Sequence, residues 1–308
     1  MPSAILLTAL AACSSSTSGG GSATPDQAAT DAATALCTKY VECEPFSIQL
    51  VYGDIPTCAS RIKPQIMDLL AATGTSDTPS QIESCGQAIA SASCDSVLGN
   101  KNLPDACKAK PGTLANGTAC GDDSQCVNAH CNIPPEQSCG SCTTAKVAVG
   151  GTCATNGDCD GGSVCVGTVC VQPGAAGATC DGTHPCTPTL VCKAGTCGTP
   201  DEAGAACVRL GDTCDNRKGA TCNGASGTCQ TVTIAQAGQP CGLINGAVTV
   251  CAGSGDCPGF APPAKVMGTC QAPAADGASC DAINGPSCAA PSKCVSGTCK
   301  STDVSTCK

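Results

Sequence analysis

The sequence predicts a small disulfide-rich fold, with an N-terminal all-α domain cross-linked by disulfides followed by tandem cysteine-rich modules of β-hairpins and loops. Three observations carry that prediction. Cysteine makes up 33 of the 308 residues, more than the roughly 8–10% at which a chain reads as a disulfide scaffold. There is no Trp, and there are two Phe and two Tyr, so the bulky side chains that gain ~25 cal/mol per Å² of buried apolar surface are nearly absent. From residue 113 onward the chain becomes repetitive. A single core of 308 residues is thereby excluded, and small units stapled at ~2–4 kcal/mol per native disulfide stand in its place.

The repeat accounts for residues 113–307. Six units open with a glycine three residues before a cysteine, near positions 117, 150, 177, 204, 238 and 277. Their cysteines are Cys120, Cys126, Cys131, Cys139 and Cys142 in the first unit, then Cys153, Cys159, Cys165 and Cys170, and then Cys180, Cys186, Cys192 and Cys197. The remaining units hold Cys207, Cys214, Cys222 and Cys229, then Cys241, Cys251, Cys257 and Cys270, and finally Cys280, Cys288, Cys294 and Cys299. The second and third units share the spacing C-x5-C-x5-C-x4-C, and most units close on Gly-Thr-Cys or a near relative. Gly and Asp/Asn between the cysteines mark turns, while Ser163-Val-Cys-Val166 and Thr189-Leu-Val-Cys192 read as short hairpin strands. First-to-third and second-to-fourth pairing is the expectation, although four cysteines allow three connectivities and spacing does not choose among them.

This frame, carried by Cys120-Gly-Asp-Asp-Ser-Gln-Cys126-Val-Asn-Ala-His-Cys131 and Cys186-Thr-Pro-Thr-Leu-Val-Cys192-Lys-Ala-Gly-Thr-Cys197, resembles the Dickkopf N-terminal-like and EB-type cysteine-rich modules of secreted proteins. The likeness is one of spacing over about 180 residues, and it brings no receptor-binding role with it.

Residues 26–112 differ, with longer apolar side chains and widely spaced Cys37, Cys43, Cys58, Cys85, Cys94 and Cys107. Ala33, Leu36, Cys37, Tyr40 and Val41 recur at the spacing of one helix face, which Pro45 stops. Pro64 to Thr73 repeats the pattern and ends at Gly74. Thr78-Pro-Ser-Gln81 is a capping box that starts a helix running to near Ala92. A bundle of three or four short helices, held by up to three disulfides, follows from this pattern. Tyr40, Phe46 and Tyr52 are assigned to its core.

At the N-terminus, Ala4 to Ala12 is an apolar run with the length of a signal h-region, too short for the ~20 residues of a membrane span. It leads into Leu10-Ala-Ala-Cys13, which resembles the lipobox of bacterial lipoproteins. The resemblance implies a signal peptide over residues 1–12, lipid attachment at Cys13, and a Ser/Gly tether over residues 13–25. Ser14 after the cysteine resembles the outer-membrane sorting pattern, giving a bacterial outer-membrane or cell-surface location, otherwise an extracellular one. An ordinary secretory signal cleaved near Ala12 is the competing reading. Cysteine counting favours lipidation: without Cys13 the total is 32, an even number. Within the units, Cys307 and one cysteine of the first unit have no local partner, so either they join across the array or the unit boundaries are wrong.

Candidate chemistry is sparse. The net charge of −9 and the absence of a Lys/Arg cluster argue against nucleic acid. Clustered zinc ligands favour C-x2-C or C-x-C, and the one such pair is Cys139-Gly-Ser-Cys142; it reads as scaffold, with a thiol-disulfide oxidoreductase as an alternative. Asp122, Asp123, Asp158, Asp160, Asp212 and Asp215 read as turn residues rather than calcium ligands, since no 12-residue loop ending in Glu is present. His130 and His184 stand beside no nucleophile motif. No cofactor, metal or catalytic residue is expected. The sequence therefore predicts a lipid-anchored surface protein of structural or binding role, whose helical domain is followed by an extended row of modules. It would reach the membrane through its anchor and engage an extracellular protein or glycan. A soluble secreted inhibitor or ligand presenting Phe260 and Lys265 on the 258–267 loop is the alternative.

Overall fold

The computed structural model describes residues 23–134, 137, 139–208, 213–261, 266–281, 285–301 and 303–307. Cys13, Asp212 and Lys265 lie outside the described residues. Five helices form the N-terminal domain: α1 Pro25–Cys43, α2 Pro45–Val51, α3 Ile55–Ala71, α4 Pro79–Ile89 and α5 Cys94–Gly99. Each start except that of α2 has a side-chain cap. Thr24, Asp54, Thr78 and Ser93 accept the backbone N–H of Gln27, Thr57, Gln81 and Ser96, satisfying donors that the first turn leaves open.

Helix α1 is the centre of this domain. Its inward stripe of Ala28, Ala29, Ala32, Ala33 and Cys37 is buried, and α3 and α4 pack along it. The stripe is small because the helices come close: a Cβ on Gly86 of α4 would sit 2.9 Å from the Ala32 Cα. Cys37–Cys58 joins α1 to α3, Cys43–Cys94 joins α1 to α5, and Cys85–Cys107 joins α4 to the 3-10 turn Asp105–Cys107. Tyr40 and Tyr52 pack against the Cys37, Ile48 and Cys58 core, and burial pushes both phenols upward.

Two helix boundaries differ from expectation. Pro45 ends α1 but also opens α2 as its first residue, the position where a missing N–H costs nothing. Helix α3 begins nine residues ahead of Pro64, which lies inside it. Asp54 and Pro56 provide the true start, and they compete with Pro64 for the same signal.

Six modules follow. The first carries β1 Ala119–Cys120, β2 Cys131–Asn132 and β3 Gly140–Cys142. Two-stranded hairpins form the second (β4 Val164–Val166, β5 Val169–Val171), third (β6 Val191–Lys193, β7 Thr196–Gly198) and fourth (β8 Ala220–Asn223, β9 Thr228–Thr231). The fifth is a four-stranded sheet of β10 Thr233–Ala235, β11 Pro240–Ile244, β12 Ala247–Cys251 and β13 Met267–Thr269. The sixth has β14 Lys293–Val295 and β15 Thr298–Lys300.

One backbone plan underlies all six. The opening glycines Gly117, Gly150, Gly177, Gly204, Gly238 and Gly277 all have φ between 78° and 92°. Each is the third residue of a turn closed by its successor's N–H, for example Ala178 N to Ala175 O at 3.0 Å, the type II geometry that requires positive φ there. A Cβ at any of the six would touch nothing within 4 Å, so glycine is there for backbone conformation and not for space. Its N–H then donates to the carbonyl of the closing cysteine, at 2.7–2.8 Å in every module. Three residues upstream, Leu114, Val147, Gly174, Asp201, Ala235 and Ala274 run parallel to the second cysteine. Each structural unit thus starts three residues before its glycine.

Within each module the first cysteine bonds the third and the second bonds the last, as in Cys153–Cys165 and Cys159–Cys170. In the first module Cys120 bonds Cys131 and Cys126 bonds Cys142. Cys139 bonds Cys307, across 168 residues.

The modules do not form an extended row. All six touch the helical domain. Gln125 of the first donates to the Thr73 carbonyl, Gly162 of the second lies against Lys101, and Thr189 of the third donates to Asp95. Gly219 of the fourth lies under the Phe46 ring, and Ser254 of the fifth donates to the carbonyls of Leu50 and Val51. The sixth is held by Arg61 of α3, whose guanidinium makes a bidentate pair with Asp276 at 2.5 and 2.7 Å and reaches the Ala289 and Ala290 carbonyls. The chain wraps its helices, and Cys139–Cys307 closes the circuit.

Candidate functional site

The cysteines with expected chemistry prove to be framework. Cys139 and Cys142 are committed to Cys307 and Cys126 and are not bonded to each other. Close groups of three sulfurs, such as Cys153, Cys159 and Cys170, recur in the modules, but every sulfur in them is in a disulfide and offers no thiolate. Phe260 is 39% exposed and covers Gly242. Among the described residues no helix is long and apolar enough to cross a membrane.

The carboxylates expected in turns mostly cap them. Asp122 accepts Ser124 N, Asp158 accepts the N–H of Ala154 and Thr155 at 2.8 Å, and Asp160 accepts Gly161 N. Two depart from the expectation of solvated turns: Asp158 is buried, and Asp215 is buried and paired with Arg217 at 3.0 Å.

Ionisable groups of the first and second modules converge in a cleft of about 260 Å³. Asp122, Asp123, His130, Asn132, Lys146 and Asp158 line it. Asp123 accepts the N–H of Cys131 at 2.8 Å and pairs with Lys146 at 2.6 Å. The His130 side chain is 7% exposed, and its Nδ1 lies 2.7 Å from the Thr144 carbonyl. A carbonyl oxygen can only accept, so Nδ1 carries a proton. The His130 Nε2 lies 3.9 Å from an Asp158 oxygen, close enough for an ion pair across the two modules when the ring is protonated. Burial works to raise the Asp158 carboxyl, but the N–H groups of Thr155 and Ala154, with His130 beside them, hold it below its ordinary value.

His184 is the contrast. It is exposed on the third module, and its Nδ1 lies 2.9 Å from Asp181, within direct hydrogen-bond reach. Sequence reasoning left both histidines without a role, and the His130–Asp158 approach has no signal in it: the two belong to adjacent repeats, 28 positions apart.

A family model described as a domain of unknown function, DUF7107, matches residues 152–199, which hold the cysteines of the second and third modules. No curated protein and no solved structure is significantly similar to the chain.

Proposed function

We propose that this is a lipid-anchored, surface-exposed structural or binding protein without catalytic activity, held by Cys13 in a bacterial outer membrane. The observation that carries the reading is cysteine use: the disulfides engage every cysteine from Cys37 to Cys307, in 16 pairs. Of 33 cysteines this leaves Cys13, the residue that the lipobox resemblance assigns to acylation. So many disulfides also fit an oxidising compartment outside the cytosol. Thr24 caps α1 immediately after the Ser/Gly segment, so the tether would deliver the chain straight into its folded body. What it would display is a wrapped, covalently closed surface of short hairpins suited to contacting a protein or glycan.

Mass spectrometry of membrane fractions tests this. The expected result is an acylated peptide beginning at Cys13. An unmodified Cys13 thiol in protein recovered from the medium overturns the anchor and favours a soluble ligand, for which the exposed Phe260 ring is the apolar contact.

A further inference from the structure

Among the described residues, five of the ten exposed large apolar side chains belong to the fifth module: Leu243, Val248, Phe260, Val266 and Met267. Three of them form a row across its sheet. Leu243 on β11 stands directly opposite Val248 on β12. Val266 follows in register just before β13, where its carbonyl accepts the Leu243 N–H. Residues directly opposite share one face of a sheet, so Val266, Leu243 and Val248 project together, 44%, 37% and 37% exposed. Half-buried Val250, two residues beyond Val248 and paired with Ile234, carries the same face onto β10. We propose that this face lies on a lipid bilayer, as a second membrane contact beside the acyl anchor.

Charge and composition select that occupant. The chain carries a net −9, yet residues 233–271 hold one acid, Asp256, and one base, Lys265. Asp256 is engaged by the sixth module, where it accepts the N–H and the hydroxyl of Ser287. Covering the row therefore strips water from apolar side chains and not from that carboxylate. A second copy is a poor occupant, because it brings its own net −9 against the first. Protein interfaces also concentrate aromatic and Arg side chains at their centres, and this row is Val and Leu alone. A bilayer of zwitterionic lipid carries no net charge, and its grip grows with the apolar area it buries. The bonds Cys241–Cys257 and Cys251–Cys270 fix the sheet beforehand, so little order is lost on contact.

The lipid-anchor reading, on which the proposal rests, supplies the drive. The segment from Cys13 to Thr24 reaches about 40 Å at most, longer than the roughly 28 Å of α1. Where it enters the folded body, Asp26 pairs with Lys63 of α3 at 2.6 Å. Arg61 of the same helix holds the sixth module, and the sixth is joined to the fifth through Ser287 and Asp256. A short path of contacts thus leads from the tether to the apolar row. A short tether raises the local concentration of what it links to the mM range, so a face of weak affinity on its own is held down once the chain is anchored.

Vesicle flotation of the oxidised mature chain, residues 13–308 with Cys13→Ser, tests the face alone, since this chain has neither the apolar run nor an acyl group. Phosphatidylcholine vesicles are the probe. The chain should float with them in proportion to lipid, and Leu243→Ser/Val248→Ser should weaken the partition about tenfold. Val149→Ser, which alters an exposed valine of the second module, should change nothing. Amide exchange should slow over residues 243–248 when vesicles are present. Should the double variant fail to form its disulfides, Val266→Ser is read instead, with a loss of about threefold. The proposal is overturned by absence of flotation, by flotation unchanged in these variants, or by exchange that slows elsewhere and not at 243–248. A dimer in sedimentation that the double variant dissociates also overturns it and assigns the face to a second copy. Failure of the anchor is read separately, as an unmodified Cys13 in the native protein.

Discussion

In the helical domain disulfides join elements that already possess a buried face, whereas in the modules the disulfides are the buried face. Cys37–Cys58 sits among Ile48, Tyr40, Val41, Tyr52 and Ile62, and the Ala stripe of α1 would bury surface without it. The cluster at the centre of the second module is Cys153, Cys159 and Cys170, with Cys165 and Val147 against it. The same covalent bond therefore does different work. Between helices it limits the freedom of the unfolded chain; within a module it also replaces the side chains that a unit of about 30 residues is too small to bury.

The largest effect should come from breaking a module. Cys159→Ala/Cys170→Ala removes two of the three buried residues of that cluster and should cost about 2–5 kcal/mol. Hydrogen exchange should show protection lost across residues 147–171, with the helices unchanged. Cys43→Ala/Cys94→Ala, by contrast, should leave helical circular dichroism near its starting value. Equal damage from both pairs would erase the distinction between the two regions.

Next in size is Gly86→Val. The new side chain must displace the Ala32 backbone from 2.9 Å, and overpacking of this kind costs about 1–3 kcal/mol, measured by denaturant unfolding. Arg61→Ala should follow at about 1–2 kcal/mol, discounted because Asp276 is half exposed. Its signature is local: faster exchange in residues 274–292 and none in the second module. Gly177→Ala should cost about 1 kcal/mol, because an L side chain strains at φ +82°. Gly177→Asn should cost less, since open space surrounds the position and Asn tolerates that conformation.

The smallest effect is acid sensitivity. The hydrogen bonds from Arg61 and Ser292 hold the Asp276 carboxyl below its ordinary value. A group depressed in the folded state stabilises fully above its unfolded value of about 3.9 and loses that contribution as pH falls through the folded one. Release of the sixth module should therefore be confined to pH below about 4, and Asp276→Asn should abolish the dependence.

Much of the fold was legible because it is written in local chemistry. Thr78 and Pro79 announce α4, and the glycine three residues before each opening cysteine is a turn requirement repeated along the chain. The odd cysteine in the first module and Cys307 left either a bond across the array or wrong unit boundaries, and the structure joins Cys139 to Cys307. The wrapping was not legible, because the contacts that produce it join residues far apart in the chain and many of them go to backbone groups. Arg61 recognises two backbone carbonyls beside Asp276, Ser254 recognises those of Leu50 and Val51, and Phe46 rests on a glycine. None of these leaves a periodicity or a spacing. The cleft at His130 was hidden for the same reason, since it exists only once two repeats are stacked.

Peptide mapping of the oxidised protein without reduction tests the closed circuit most directly. A cross-linked peptide pair containing Cys139 and Cys307, alongside one containing Cys126 and Cys142, is the predicted result. A Cys139–Cys142 bond, with Cys307 joined elsewhere or reduced, would leave the modules free to extend from the helices and contradict the account.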